Sequence, residues 1–309
     1  MHYFDAAQTA GRLDYATLIP ALRAGLATEA TVPPRQHYSL DAEGQSTLLV
    51  MPAWNREFLG VKLVDVFPRN AERGQPALSS AYVLADGETG RHLALVDGGE
   101  LTRRRTVGTA ALGASLLAPR DARVHLIVGT GHIGSAVYDA YATVREGITT
   151  TLVADPHNPA AARALAEDLN QRGAHAVPVE DLPTAVGQAD IITTATLARE
   201  PVIRDAWVTP GTHLDLIGSF RPEMHEVESS LLGRSTVFVD SDVARTESGE
   251  IATALATGVL SGDDIAATLP ELCARPADRV RQDGEITVFK TVGTGLTDLI
   301  AAVTVYAGT

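Results

Sequence analysis

The 309-residue sequence contains a single cysteine, Cys273. One thiol excludes an intrachain disulfide and any cysteine-rich metal site, and Cys273 reads as a small core residue. The net charge is −13, with no basic block to set against it. Proteins that bind nucleic acid draw most of their affinity from neutralising phosphates, so no nucleic-acid partner is expected. No uninterrupted apolar run approaches the roughly 18 residues that a membrane helix needs. The opening, MHYFDAAQTAGRLDY, lacks the basic-then-apolar order of a signal peptide. A cytoplasmic chain with no membrane partner is the expectation. Lysine is scarce as well: only Lys62 and Lys290 occur among the 25 lysines and arginines. Where arginine fills the generic cationic positions, a remaining lysine marks a place that wants a compact, titratable ammonium. Codon bias with two leftovers is the competing explanation. It stays open for Lys290, while function is favoured for Lys62.

What the chain does have begins at Val124–Gly134, VHLIVGTGHIG. A short apolar strand runs into Gly129-Thr130-Gly131-His132-Ile133-Gly134 and then into a helical stretch ending near Arg145. A dinucleotide pyrophosphate needs this order: Gly129 for the tight turn, Gly131 for close approach of backbone to phosphate, Gly134 for helix-on-strand packing. The free N–H groups of the helix start then face the anion. A second apolar run, 149–154, ends on Asp155, placed to accept from a ribose hydroxyl. Further strands fit at 175–178, 190–194, 213–217 and 235–239, with helices between most of them. The alternation predicts a doubly wound parallel sheet, a Rossmann domain, over residues 118–284.

Some 120 residues precede the fingerprint and must form something else. A helix capped by Asp14 runs to Leu26, and strands fit at 46–51, 58–67, 79–85 and 92–96, the last two joined by a hairpin loop. A helix over 101–117 leads into the nucleotide domain. The tail from 285, EITVFKTVGTGLTDLIAAVTVYAG, reads as a strand, a glycine turn and an apolar helix that return to the first domain. The expected architecture is α/β: a Rossmann domain inserted into a discontinuous α+β domain of residues 1–117 and 285–309.

Three cations are candidates for chemistry. On strand alternation Lys62 shares a face with Phe58, Gly60, Val64 and Val66. An ammonium on an apolar face needs a partner, and burial lowers its pKa into a range useful for proton transfer. In the run Arg103-Arg104-Arg105, helical geometry aims Arg105 into the stripe of Leu101, Gly108 and Leu112, with Arg103 roughly opposite. An inward guanidinium suits bidentate capture of a carboxylate. Arg35, after Pro33-Pro34, is a second candidate clamp. The nine histidines show no ligand spacing. The nearest approach to a metal cluster is Glu223, His225 and Glu226 in one loop, and no metal is expected.

Several segments together resemble the ornithine cyclodeaminase/mu-crystallin family. They are PPR ending at Arg35, GVK ending at Lys62, Pro68-Arg69-Asn70, LTRRRT, GTGHIG, ADIITTAT, PGTHLDLIGSFRPEMHEVE and VFKTVGTGLTDLIAA. The resemblance implies a homodimer built through the first domain, a small imino or amino acid substrate held by Arg35, Lys62 and Arg105, and cofactor contacts extending to Thr194, Ala195 and Thr196. Lys62 takes the catalytic role. Cyclodeaminases carry an aspartate two residues after the glycine matching Gly218, and here Phe220 stands in that place. This departure disfavours cyclodeamination. The closest likeness is to the branch that reduces Δ1-pyrroline-2-carboxylate or Δ1-piperideine-2-carboxylate to L-proline or L-pipecolate, a ketimine reductase serving proline metabolism. Ornithine cyclodeaminase, an alanine-dehydrogenase-type oxidoreductase and a mu-crystallin-like small-ligand binder are the alternatives. Asp155-Pro156 replaces the Asn-Arg of NADP-using relatives, so NAD(H) is favoured, with NADP(H) as the alternative.

Overall fold

The computed structural model describes residues 1–42, 46–275 and 281–308, which fall into two compact units. The first comprises Met1–Arg105 and Gly293–Thr309; the second is Thr106–Val292.

The first unit opens with β1 (His2–Phe4), α1 (Ala6–Arg12) and α2 (Tyr15–Leu26). The Asp14 side chain accepts from the Thr17 N–H and caps α2, so the helix starts where the capping rule puts it. Then come β2 (Gln36–Ser39), β3 (Thr47–Trp54), β4 (Phe58–Val66), β5 (Leu78–Asp86) and β6 (His92–Asp97). They form one six-stranded sheet in the order β1-β6-β5-β4-β3-β2, antiparallel except for the β1–β6 pair. Helix α3 (Gly98–Leu117) begins in this unit.

In the second unit the strands are β7 (Val124–Val128), β8 (Thr150–Ala154), β9 (Ala176–Pro178), β10 (Ile191–Thr194), β11 (His213–Leu216), β12 (Thr236–Val239), β13 (Ile265–Thr268) and β14 (Thr287–Lys290). The helices are α4 (Gly134–Val144), α5 (Pro159–Gln171), α6 (Leu182–Gln188), α7 (Ser229–Leu232), α8 (Ala244–Glu247), α9 (Gly249–Ala256) and α10 (Leu269–Ala274). The last helix of the chain, α11 (Gly295–Ala307), belongs to the first unit, where it packs on α2 and across β3, β4 and β5.

All eight strands of the second unit run parallel, in the order β13-β12-β14-β11-β10-β7-β8-β9. The β9-β8-β7-β10-β11 portion reproduces the doubly wound order expected of a Rossmann sheet. One face carries a continuous apolar core built from Leu126, Ile192, Leu214, Leu216, Val237 and Val288 with α6, α7 and α9. The opposite face is unusual in burying polar groups. His125 Nε2 lies 2.9 Å from Thr193 Oγ1, the Tyr141 hydroxyl donates to Asp215 at 2.6 Å, and His213 Nδ1 meets Thr287 Oγ1 at 2.7 Å. Burial, with His213 nearby, pushes the His125 pKa down to about 3, so this imidazole stays neutral in the core.

One sequence expectation needs correcting. The tail was expected to leave the nucleotide domain at residue 285, yet β14 pairs with both β11 and β12 inside the eight-stranded sheet, and the first unit resumes only at Gly293. The physical reason is that Thr287, Val288, Phe289 and Lys290 are all buried, which suits an interior parallel strand. At the other end the second unit starts at Thr106, inside α3, rather than near residue 118.

Candidate active site

Strand β4 and helix α11 bring the first group of charges together. The register sets Lys62 opposite Met51 on β3 and Tyr82 on β5, and α11 lies over that face. Helix α11 carries its one charged residue, Asp298, in its first turn, pointing back at the sheet. The Lys62 ammonium donates to Asp298 Oδ1 at 2.9 Å and lies 2.8 Å from Oδ2. Arg105 Nε donates to the same Oδ1 at 2.7 Å. Lys62, Arg105 and Asp298 are 2, 7 and 0% exposed, so this is a desolvated ion cluster. Burial lowers the Lys62 pKa first, Arg105 lowers it further, and Asp298 restores only part. Arg35 is close enough to depress it as well, and the result is about 8. Arg35 Nη2 donates to the Gly293 carbonyl at 3.0 Å.

All three cations named from the sequence therefore sit in one unit and act on one another. The helix phase of the arginine run also holds: Arg105 is buried, while Arg103 and Arg104 both reach Glu100, at 3.2 and 2.7 Å. Sequence reasoning missed Asp298 and Tyr82. Among the described residues the buried Tyr82 hydroxyl has no hydrogen-bond partner, and it fills the space that a Cβ at Gly60 would need. Burial and the nearby Asp298 carboxylate raise its pKa, so the hydroxyl keeps its proton. A lone acid in the first turn of an apolar helix was the available signal for Asp298.

The second group lies at the carboxyl ends of the strands in the other unit. Gly129 has φ +99°, in the left-handed region, and a Cβ there would strike the Ala195 carbonyl. A Cβ at Gly134 would collide with the Gly129 carbonyl, while the space beside Gly131 is open. Helix α4 begins at Gly134 with no side chain capping it. His132 is exposed and Ile133 half-buried. This loop fits a dinucleotide pyrophosphate: the turn is tight, the helix start is uncapped and the backbone is approachable. Asp155 Oδ2 accepts from the Thr130 N–H at 3.2 Å and from its hydroxyl at 2.7 Å. Oδ1 accepts from the N–H groups of His157 and Asn158. Partial burial pushes this carboxyl up, but those bonds outweigh it and hold it below the usual range. Asp155 is thus an ionised anchor of the glycine loop. Thr194 is fully buried, Ala195 donates to the Val128 carbonyl, and Thr196 is held by Glu226.

Glu223, His225 and Glu226 do not converge. Glu223 lies on the surface near Arg221, His225 meets Thr253 Oγ1 at 3.0 Å, and Glu226 is buried among N–H donors. Lys290, the other lysine, is fully buried at the end of β14, with Glu226 and Glu250 3.9 and 3.8 Å away. Among the described residues no helix is long and apolar enough to cross a membrane.

The model of the ornithine cyclodeaminase/mu-crystallin family matches residues 5–308. The chain belongs to this family. It is 38% identical to a Delta(1)-pyrroline-2-carboxylate reductase of Paracoccus denitrificans, over 98% of this chain and 94% of that protein. The structure of Thermococcus litoralis Delta(1)-pyrroline-2-carboxylate reductase in complex with NADH and L-proline superposes with TM-score 0.92 at 30% identity, covering 99% of this chain and 97% of that one. An archaeal alanine dehydrogenase dimer with bound NAD also gives TM-score 0.92, at 27% identity, over 99% of this chain and 95% of that one.

Proposed function

We propose that this protein is an NADH-dependent reductase of a small cyclic imino acid, Δ1-pyrroline-2-carboxylate or Δ1-piperideine-2-carboxylate, giving L-proline or L-pipecolate. The observation that carries the reading is the buried Lys62–Asp298–Arg105 cluster, with its lysine pKa at about 8. When bound, NADH supplies the hydride that reduces the imine carbon. Arg105 and Arg35 hold the substrate carboxylate, a task suited to guanidinium forks, and so fix the imine for attack. Lys62 donates a hydrogen bond at the imine nitrogen and holds the proton that this nitrogen needs. Asp298 orients the Lys62 and Arg105 side chains and offsets part of their mutual repulsion.

Phe220, standing where cyclodeaminases have an aspartate, supports reduction over cyclodeamination, because an aromatic ring offers no anion for a second ammonium. The related enzymes named above, by their own descriptions, include a reductase of this imine and an NADH complex, in line with the reading. Asp155 favours NADH over NADPH, since a carboxylate repels a 2′-phosphate.

We also propose a homodimer formed on the first unit's sheet, on the face opposite Lys62. Register aligns Tyr3, Leu95, Val83, Val61 and Pro52 in one row across it, and Ala81, Leu63 and Val50 in the next. Tyr3 and Leu63 remain 64% and 37% exposed in the single chain, an open apolar face that a second copy would cover. The chain is a soluble cytoplasmic enzyme in this reading.

The deciding experiment is an assay of the purified protein with NADH or NADPH against pyrroline-2-carboxylate, piperideine-2-carboxylate, ornithine, and pyruvate plus ammonia. Turnover of a cyclic imine well above the rest is expected. Turnover of ornithine or of pyruvate plus ammonia alone would refute the reading.

A further inference from the structure

The acidic loop after β11 and the lysine at the end of β14 have no place in the chemistry above, yet they form a densely hydrogen-bonded buried cluster in the second unit. Glu226 Oε1 accepts from the Thr196 N–H at 2.8 Å and from the Thr196 hydroxyl at 3.0 Å. Its Oε2 accepts from the Gly218 N–H at 2.7 Å and from the Ser219 N–H at 3.3 Å. One fully buried carboxylate thus collects four donors from two segments, the exits of β10 and of β11. These segments touch: a Cβ at Gly218 would run into the Thr196 backbone.

Behind Glu226 the charges are arranged to hold it still. Its own N–H donates to Glu250 Oε1 at 2.5 Å. Lys290 donates to Ser219 Oγ at 2.6 Å, and that hydroxyl donates in turn to Glu250. Lys290 supplies the positive charge that two buried carboxylates require. Burial pushes the Glu226 carboxyl up and Lys290 draws it back, while the four N–H and O–H donors aimed at its oxygens favour the ionised form.

In a doubly wound sheet a dinucleotide lies across the carboxyl ends of the strands. Here the glycine loop follows β7 and Asp155 follows β8, which assigns the adenosine half to the β8 side. The other half then runs over the exits of β10 and β11, where the Glu226 bracket lies. We propose that Glu226, with Lys290 behind it, is a positioning residue for the nicotinamide half of the dinucleotide. It fixes the Thr196 and Gly218–Ser219 backbone against which that half rests, and does not touch the cofactor itself. This inference rests on the NAD(H) reading above.

The test compares two ligands that differ only in what this bracket would serve. NADH carries the nicotinamide, whereas ADP-ribose keeps the adenosine and pyrophosphate without it. Glu226→Gln preserves length and shape, but the NH2 that replaces one carboxylate oxygen cannot accept from N–H donors. In the full-length protein, calorimetric titration of Glu226→Gln should give an NADH Kd raised about tenfold, the loss of one or two buried hydrogen bonds. ADP-ribose should bind as it does to the unsubstituted protein. Equal weakening of both ligands would make Glu226 a general structural residue and overturn the proposal, as would unchanged NADH binding. Should Glu226→Gln fail to fold, Thr196→Val removes one of the four donors. The same comparison then decides the matter: selective loss of NADH affinity supports the proposal and its absence refutes it. An unsubstituted protein that binds ADP-ribose and not NADH would instead strike down the cofactor reading, and this proposal with it.

Discussion

The two lysines of this chain are both buried, in separate units, and they live in opposite electrostatic surroundings. Burial lowers the Lys62 pKa, Arg105 and Arg35 lower it further, and the Asp298 carboxylate it shares with Arg105 restores only part. Lys290 faces two carboxylates, Glu226 and Glu250, across less than 4 Å and donates to Ser219 besides. One lysine competes with a guanidinium for its carboxylate, and the other stands as the cation between two. A buried ammonium that shares its one carboxylate with a guanidinium is left less compensated than one set between two carboxylates.

The sharpest way to break that contrast is to remove each ammonium in turn. Lys62→Met should lower kcat by a factor of about 10² to 10⁴ while leaving NADH affinity and thermal stability nearly unchanged. Lys290→Met should behave the other way round. It leaves buried carboxylates without their cation, a loss of about 3–5 kcal/mol that a thermal melt would register directly. Similar kinetic losses without a drop in Tm for Lys290→Met would erase the distinction.

A smaller effect sharpens the first cluster. Arg105 is buried against Asp298, whereas Arg103 pairs with Glu100 at a partly exposed position. Arg105→Ala should lose most of kcat/KM for the imine, and Arg103→Ala should alter it by less than about twofold, as removal of a partly exposed ion pair does. Equal losses would mean that the substrate carboxylate is not held where Arg105 points.

The smallest effect concerns the cofactor. Asp155→Ala should narrow the preference for NADH over NADPH in kcat/KM, since the repelling carboxylate is gone. Its bonds to Thr130 also order the glycine loop, so some NADH affinity should go with it. A tenfold preference of the unsubstituted enzyme for NADPH, about 1.4 kcal/mol in the wrong direction, would contradict this assignment.

Much of this was legible before any coordinates, and the reason is periodicity. Strands β7, β8, β9, β10, β11 and β12 fall within a residue or so of the apolar runs, because a parallel sheet buries whole strands. Lys62 and Arg105 were readable as inward residues from alternation and helix phase. The first elements were not: β2 is exposed at all four residues, and β1 and α1 bury one residue each, so no apolar run marks them. Asp298 lies 236 positions from Lys62, and nothing local announces a pairing made at that separation. Strand β14 was assigned to the wrong sheet because its neighbours in sequence, the glycine turn and α11, do belong to the first unit. Glu226 reads as one acid of a short loop with Glu223 and His225, since burial within a loop leaves no repeating pattern.

The central claim is that Lys62 holds the proton the reaction needs and titrates near pH 8. For a donor that must be protonated, activity is complete below its pKa and falls as the pH rises through it. The most direct test is the pH dependence of kcat/KM for the imine in the unsubstituted enzyme and in Lys62→Arg, with NADH saturating. The account expects a decline through about pH 8 in the unsubstituted enzyme. In Lys62→Arg, activity should be lower throughout and that decline should be missing, because a guanidinium keeps its proton across this range. The same falling limb in both proteins would assign the titration to another group and contradict the account.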